Sequence, residues 1–340
     1  MGKYIGLFLI VLTGLCASCV QEDVYDNSKH GNFEALWKLM DEHYCFVDYK
    51  KSELGLDWNE VHARYEKMIS EKMDNAQLFE VLCRMLAELH DGHVNLSASF
   101  DVGRNWSYFE DYPQNYNDSI VDLYLGHEYG IASGLKYTIF DDNIVYVRCA
   151  SFENNIGDGN LSNMLYLIAA CRGMILDLRN NGGGQITSAR RLAARFIDGK
   201  RLVGYVCHKT GKGHGDFSSW EPEYLEAYDG MRWNKPVVVL TNRQCYSATN
   251  DFVKSVKGAP NVTIMGDRTG GGSGMPFHSE LPNGWGVRYS AVVFYDRDGQ
   301  HTEFGIAPDV ALEMSGADTG NNKDTYIETA RQFLKNKTTE

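Results

Sequence analysis

The chain has 340 residues, 43% of them hydrophobic, enough to bury a substantial core in one large domain or two of ordinary size. Its formal net charge is −12 at pH 7, its pI is about 5.3, and no run of Lys and Arg stands out against that balance. A nucleic-acid partner requires clustered cations to neutralise phosphates, so composition excludes that class, and the apolar content excludes disorder on a large scale.

Lys3 precedes the apolar run Ile5 to Leu15, too short to span a bilayer, and the small residues Ala17 and Ser18 follow, as in a secretory signal peptide. Leu15-Cys16-Ala17-Ser18-Cys19 resembles a bacterial lipobox, in which the last cysteine is acylated and becomes the new N-terminus; Cys16 stands where an aliphatic residue is usual. Residues 1–19 are expected to be signal and lipid anchor, and the polar residues 20–30 a tether to a bacterial envelope membrane, with plain secretion as the alternative. The six remaining cysteines, Cys45, Cys83, Cys149, Cys171, Cys207 and Cys245, lack C-x-x-C spacing and read as small buried hydrophobes.

Apolar residues at helical spacing predict a three-helix cap within residues 31–92: Phe33, Leu36, Trp37, Met40 and Tyr44; Trp58, Val61, Tyr65 and Met68; Leu78, Leu82, Met85, Leu86 and Leu89. Asp74 and Gln77 form a capping pair for the third helix. At the cap exit stands His90-Asp91-Gly92-His93, where a further convergent metal ligand is not evident, so no metal is expected and His93 reads as a general base or a structural histidine. Residues 98–135, with Trp106, Tyr108, Tyr112 and Tyr116, show no period and read as a surface excursion bordering a groove, too short and too poor in alternating strands for a PDZ-type module.

A hairpin follows at Tyr137–Phe140 and Asn143–Arg148, then a helix from Leu161, a buried strand Gly173–Leu178, a helix from Gln185 and a strand from Arg201. This alternation implies crossover units, hence a mixed α/β core over residues 93–338. Three glycines, Gly182 to Gly184, lie between strand and helix, where backbone N–H groups can face an anion. They carry neither the Lys-Ser/Thr of a P-loop nor a GxGxxG register, so no nucleotide cofactor is expected. In Pro236 to Val256 an apolar strand ends in a polar turn and a helical pattern begins at Ser247. A serine there is either an N-cap or a nucleophile, beside the positive end of a helix dipole.

Asp177-Leu-Arg-Asn-Asn-Gly-Gly-Gly, Ser247-Ala248 and Phe304-Gly-Ile-Ala-Pro-Asp309, in this order, resemble the S41 serine peptidases, the tail-specific or C-terminal-processing protease family. The resemblance spans roughly residues 30 to 335 and implies a crotonase-like α/β catalytic core with a helical N-terminal part. One branch of the family pairs its serine with a lysine about 25 residues later, and Gly272 stands at that place here. Lys254 and Lys257, on the helix after Ser247, are expected to face solvent. The tricorn-like branch instead uses serine, histidine and glutamate, and the resemblance assigns Ser247 as nucleophile, His93 as base, Glu303 as the residue orienting it, and the N–H groups of Gly184 and Ala248 as the oxyanion hole. Gly92 stands where tricorn has a serine, and Glu303 lies one residue nearer the Gly-x-x-Pro-Asp motif than in tricorn; Asp91 and Thr302 are the candidates for the missing supporting role. The expectation is a lipid-anchored serine endopeptidase acting on unfolded or flexible polypeptide through an acyl-enzyme. The alternative is a catalytically silent peptide-binding lipoprotein on the same scaffold.

Overall fold

The computed structural model describes residues 25–104 and 109–337; Cys19 and its signal segment, with Trp106 and Tyr108, lie outside them. Four helices open the described chain where three were expected: α1 (Lys29–His43), α2 (Val47–Leu54), α3 (Trp58–Glu66) and α4 (Asn75–Ala87). The Asp74 carboxylate accepts from Gln77 N and the Gln77 side chain accepts from Asp74 N, closing the capping box in front of α4. Helix α2 carries no apolar stripe, because only Val47 and Lys50 of its residues are buried. Phe33, Leu36 and Met40 of α1 and Leu78, Leu82 and Met85 of α4 share one core with Val287, Tyr289 and Val293. The apolar faces of the cap are therefore covered by a sheet as well as by one another.

Past the cap come β1 (Asn95–Ser97), β2 (Val102–Arg104) and α5 (Asp118–Leu125), the last a short helix inside the stretch expected to be irregular. Asn117 caps it and Ile120, Val121 and Leu125 bury its inner face. Then β3 (Gly130–Ala132), β4 (Leu135–Ile139), β5 (Ile144–Arg148), α6 (Asp158–Leu167), β6 (Gly173–Asp177) and α7 (Ile186–Ala193) follow. The chain continues through β7 (Arg201–His208), β8 (Glu221–Leu225), β9 (Val237–Thr241), α8 (Ala248–Val256), β10 (Val262–Gly266), β11 (Gly274–Glu280) and β12 (Gly286–Asp296). It closes with β13 (Val310–Ala311), α9 (Gly316–Gly320) and α10 (Thr325–Lys337).

Two sheets result. One has the order β13-β10-β9-β6-β5-β4-β3, parallel from β13 through β5 and antiparallel at β4 and β3. The other runs β2-β1-β12-β7-β8, with β11 antiparallel to β12. Strands β5, β6 and β9 are buried along their whole length, as their unbroken apolar runs require of parallel strands covered on both faces. Helix α8 is likewise buried throughout, packed on α7 and β7. The mixed α/β class with a helical cap is the one the sequence predicts.

Candidate active site

Ser247 sits where β9 has ended and α8 has not yet begun. It is the N-cap residue of α8, yet its side chain makes no capping hydrogen bond, and its backbone has φ 56° and ψ −118°. Positive φ on a residue with a Cβ is strained and persists only where the surroundings enforce it. Here Ser247 N donates to Gly271 O at 2.8 Å and Asp251 N donates to Ser247 O at 3.0 Å. The turn aims the hydroxyl away from its own helix, and Oγ lies 2.9 Å from His93 Nε2, across 154 residues of chain.

His93 is 4% exposed. Its backbone N–H donates to Asp91 Oδ1 at 2.7 Å, and the Asp91 carboxylate also accepts from Tyr246 Oη at 3.1 Å and Tyr44 Oη at 2.8 Å. Burial lowers the imidazole pKa to about 4; the Asp91 charge opposes that shift, while Arg288 and Lys50 add to it. The ring is thus neutral at pH 7. The tautomer that leaves Nε2 as acceptor for the serine proton carries its hydrogen on Nδ1, which is buried and has no hydrogen-bond partner among the described residues.

The glycine run closes on Ser247 from the other side. A Cβ at Gly183 would lie 2.9 Å from Ser247 Cβ and 3.0 Å from Ala248 N, so only glycine permits this approach. Gly183 N is engaged by Asn181 Oδ1 at 3.0 Å, whereas the N–H groups of Gly184 and Ala248 have no partner among the described residues. Ala248 is the first residue of α8, so its free N–H and the helix dipole both favour negative charge beside Ser247.

Glu303, expected to orient His93, makes no hydrogen bond to it. Its carboxylate instead holds Lys50 Nζ at 3.0 Å and Ser273 N at 2.8 Å, and its carbonyl accepts from Gly272 N at 3.0 Å. Burial pushes this carboxyl up to about 7 against the pull of the Lys50 ammonium. Because Gly271 O in turn accepts from Ser247 N, Glu303 fixes the strap 271–273 that holds Ser247. Thr302, the other candidate support, lends its carbonyl to Asn250 Nδ2 at 3.1 Å, and Asp91 is the carboxylate that accepts from the His93 backbone N–H.

Lys254 corrects an expectation: it does not face solvent. Its side chain is 2% exposed, and its ammonium pairs with Glu223 at 3.0 Å and Asp251 at 3.1 Å, because α8 is enclosed on every side. Lys257 is partly exposed and pairs with Asp309 at 2.8 Å. The Asp-Leu-Arg motif, whose purpose spacing did not reveal, builds the loop from beneath. Arg179 forks onto Asp177 at 2.6 and 3.0 Å and reaches Asp324, next to α10, at 2.9 Å, all fully buried. Tyr246 was also missed; its ring packs against His93 with centroids 5.0 Å apart. A cavity of about 220 Å³ opens beside Ser247, lined by Gly184, Ile186, Met275, Pro276, Arg288 and Phe294 among others.

Comparison with known proteins extends the picture. The model of peptidase family S41 matches residues 143–312, and that of the tricorn protease C1 domain matches residues 25–87. A candidate peptidase from Parabacteroides merdae, known from its crystal structure, is 49% identical with a TM-score of 0.86, the match covering 91% of this chain and 97% of that one. The carboxy-terminal processing protease CtpA of Bacillus subtilis is 26% identical over 214 residues, 57% of this chain and 43% of that protein. The chain spans less than half the length of the curated relatives it matches. Mature CPAF in complex with lactacystin matches with TM-score 0.70 at 12% identity, over 91% of this chain and 97% of that one, a likeness of fold alone.

Proposed function

The chain belongs to peptidase family S41, and from that premise we propose that it is a serine endopeptidase cleaving unfolded or flexible polypeptide through an acyl-enzyme. The observation that carries this reading is the 2.9 Å approach of Ser247 Oγ to His93 Nε2. A serine hydroxyl is a poor nucleophile at neutral pH; neutral His93 accepts its proton as Oγ attacks the peptide carbonyl, then gives that proton to the leaving amine. Water repeats the sequence on the ester and frees the acid. The Gly184 and Ala248 N–H groups stabilise the tetrahedral oxyanion, each worth on the order of 10²-fold in rate. Asp91 supplies the negative charge that favours the imidazolium, and Glu303 acts at one remove by holding the strap under Ser247. The unpaired N–H groups and the strained Ser247 backbone favour this reading over a silent peptide-binding protein, which has no need of either.

We further place the protein on a bacterial envelope membrane through an acylated Cys19, on the strength of the lipobox-like sequence. Among the described residues no helix is long and apolar enough to cross a membrane. The function is tested by labelling with a fluorophosphonate: the wild type labels covalently and Ser247→Ala does not. An unlabelled, folded wild type supports the silent alternative. For the anchor, Cys19→Ala leaves the membrane fraction, and unchanged fractionation rejects it.

A further inference from the structure

Arg288 lies on β12, where register sets it opposite Asn95 of β1 and His278 of β11, while Asn95 itself stands opposite Arg104 of β2. Directly opposed residues share one face of a sheet, so Arg104, Asn95, Arg288 and His278 form a single cross-strand row. Arg288 and Ser247 line the same cavity, which puts this row on the side of the nucleophile. The guanidinium is half-buried, its one hydrogen bond among the described residues goes to Asn95 Oδ1 at 3.2 Å, and no described carboxylate lies within ion-pair distance of it.

The other charges at the cavity are already matched. Asp251 is held by Lys254 at 3.1 Å and Arg190 at 2.9 Å, and Glu223 by the same two cations at 3.0 and 2.6 Å. The nearby Asp91 carboxylate is occupied by two tyrosine hydroxyls and the His93 N–H. What remains is one guanidinium bonded directly to no carboxylate among the described residues, its charge offset only through space by Asp91, in a chain of formal net charge −12, and set among the apolar side chains of Ile186, Met275, Pro276 and Phe294. An arginine stays ionised there, and its fork matches a carboxylate with two parallel hydrogen bonds. Low polarity strengthens such a pair once water is displaced.

We propose that Arg288 makes the cavity beside Ser247 a carboxylate subsite, so that the preferred polypeptide carries a carboxylate, from an acidic side chain or from its own C-terminus, close to the bond that is cut. This rests on the peptidase reading above and names the substrate class of that same site.

The test uses short peptides sharing one cleavable bond, with Glu or Gln scanned through the flanking positions, each as free acid and as C-terminal amide. Wild type prefers the carboxylate form by about 10- to 100-fold in kcat/KM, the usual size for a hydrogen-bonded charge. Arg288→Gln brings the ratio near one, and Arg288→Lys retains part of it. Preference for Glu over Gln assigns the side chain and preference for acid over amide assigns the chain end. A wild type indifferent to both, or a ratio unchanged in Arg288→Gln, overturns the proposal. Binding of the same peptides to Ser247→Ala, read by fluorescence anisotropy, separates the two layers. If peptides bind with the carboxylate preference and lose it in Ser247→Ala/Arg288→Gln, yet the wild type cuts none, the subsite stands and the peptidase reading fails.

Discussion

The ring of Tyr246 stands so close to Gly272 that a Cβ built at 272 would lie 2.3 Å from Tyr246 Cζ. The position where the Ser-Lys branch carries its lysine is thus filled by an aromatic ring, whose hydroxyl is anchored on Asp91 at 3.1 Å. With φ of 74° at Gly272, any side chain there is strained as well as crowded. Gly272→Ala should therefore lower stability by about 1–3 kcal/mol, measured by urea unfolding, and Gly272→Lys should confer no lysine-dependent rate. A stable, active Gly272→Lys enzyme would contradict the packing argument.

Because burial holds His93 at about 4, the acid limb of kcat/KM should fall well below the ordinary histidine value of 6.5. Asp91→Asn removes the charge that favours the imidazolium, so it should move that limb lower still and cut the rate by roughly 10²-fold or more. The sign for stability follows from the same shift. Between about pH 4 and 6.5 the unfolded imidazole binds more protons than the folded one, so the His93 contribution weakens as pH falls through that window. A pH–rate profile on an uncharged peptide checks the first claim; an acid limb at or above 6.5 contradicts it.

Lys254 bears on stability more than on chemistry. Lys254→Met leaves Asp251 and Glu223 each with Arg190, at 2.9 and 2.6 Å, so turnover per folded molecule should stay within about an order of magnitude while the unfolding midpoint drops. Lys257→Ala, at a partly exposed pair, should change little in either. Rate collapse in either variant at full folding would restore a lysine base.

Glu303 and Lys50 should behave as one unit. Each single variant, Glu303→Gln or Lys50→Met, leaves a buried partner unmatched and should cost about 3–5 kcal/mol, whereas the double variant should recover much of that loss. Since Glu303 reaches Ser247 only through the strap 271–273, the double variant should also lose activity, by displacement of the nucleophile. Additive stability losses would show that the pair is not coupled.

The strand and helix alternation from Leu135 to Val256 and the convergence of Ser247, His93 and the glycine run were legible because periodicity, turn chemistry and motif order are local signals. Lys50 was not, since the polar helix that carries it gives no sign that one amine points inward. Tyr246 escaped notice because an aromatic residue before a helix looks like ordinary core. The Glu303 reading found a residue near the site but not its partner. Sequence distance to the Gly-x-x-Pro-Asp motif cannot tell whether a carboxylate turns toward His93 or toward Lys50 and Ser273, a choice made by packing across 253 residues. Lys254 misled for a related reason, as helix α8 reads amphipathic but is enclosed on all faces.

The central claim is that Ser247 and His93 move one proton between them across 2.9 Å. Casein turnover by wild type, Ser247→Ala, His93→Ala and the double variant, each confirmed folded by circular dichroism, tests it most directly. Each single variant should lose on the order of 10⁴-fold or more, and the double should lose little beyond either. If folded His93→Ala keeps near-normal turnover, or if the two losses multiply in the double variant, Ser247 and His93 do not act as a pair.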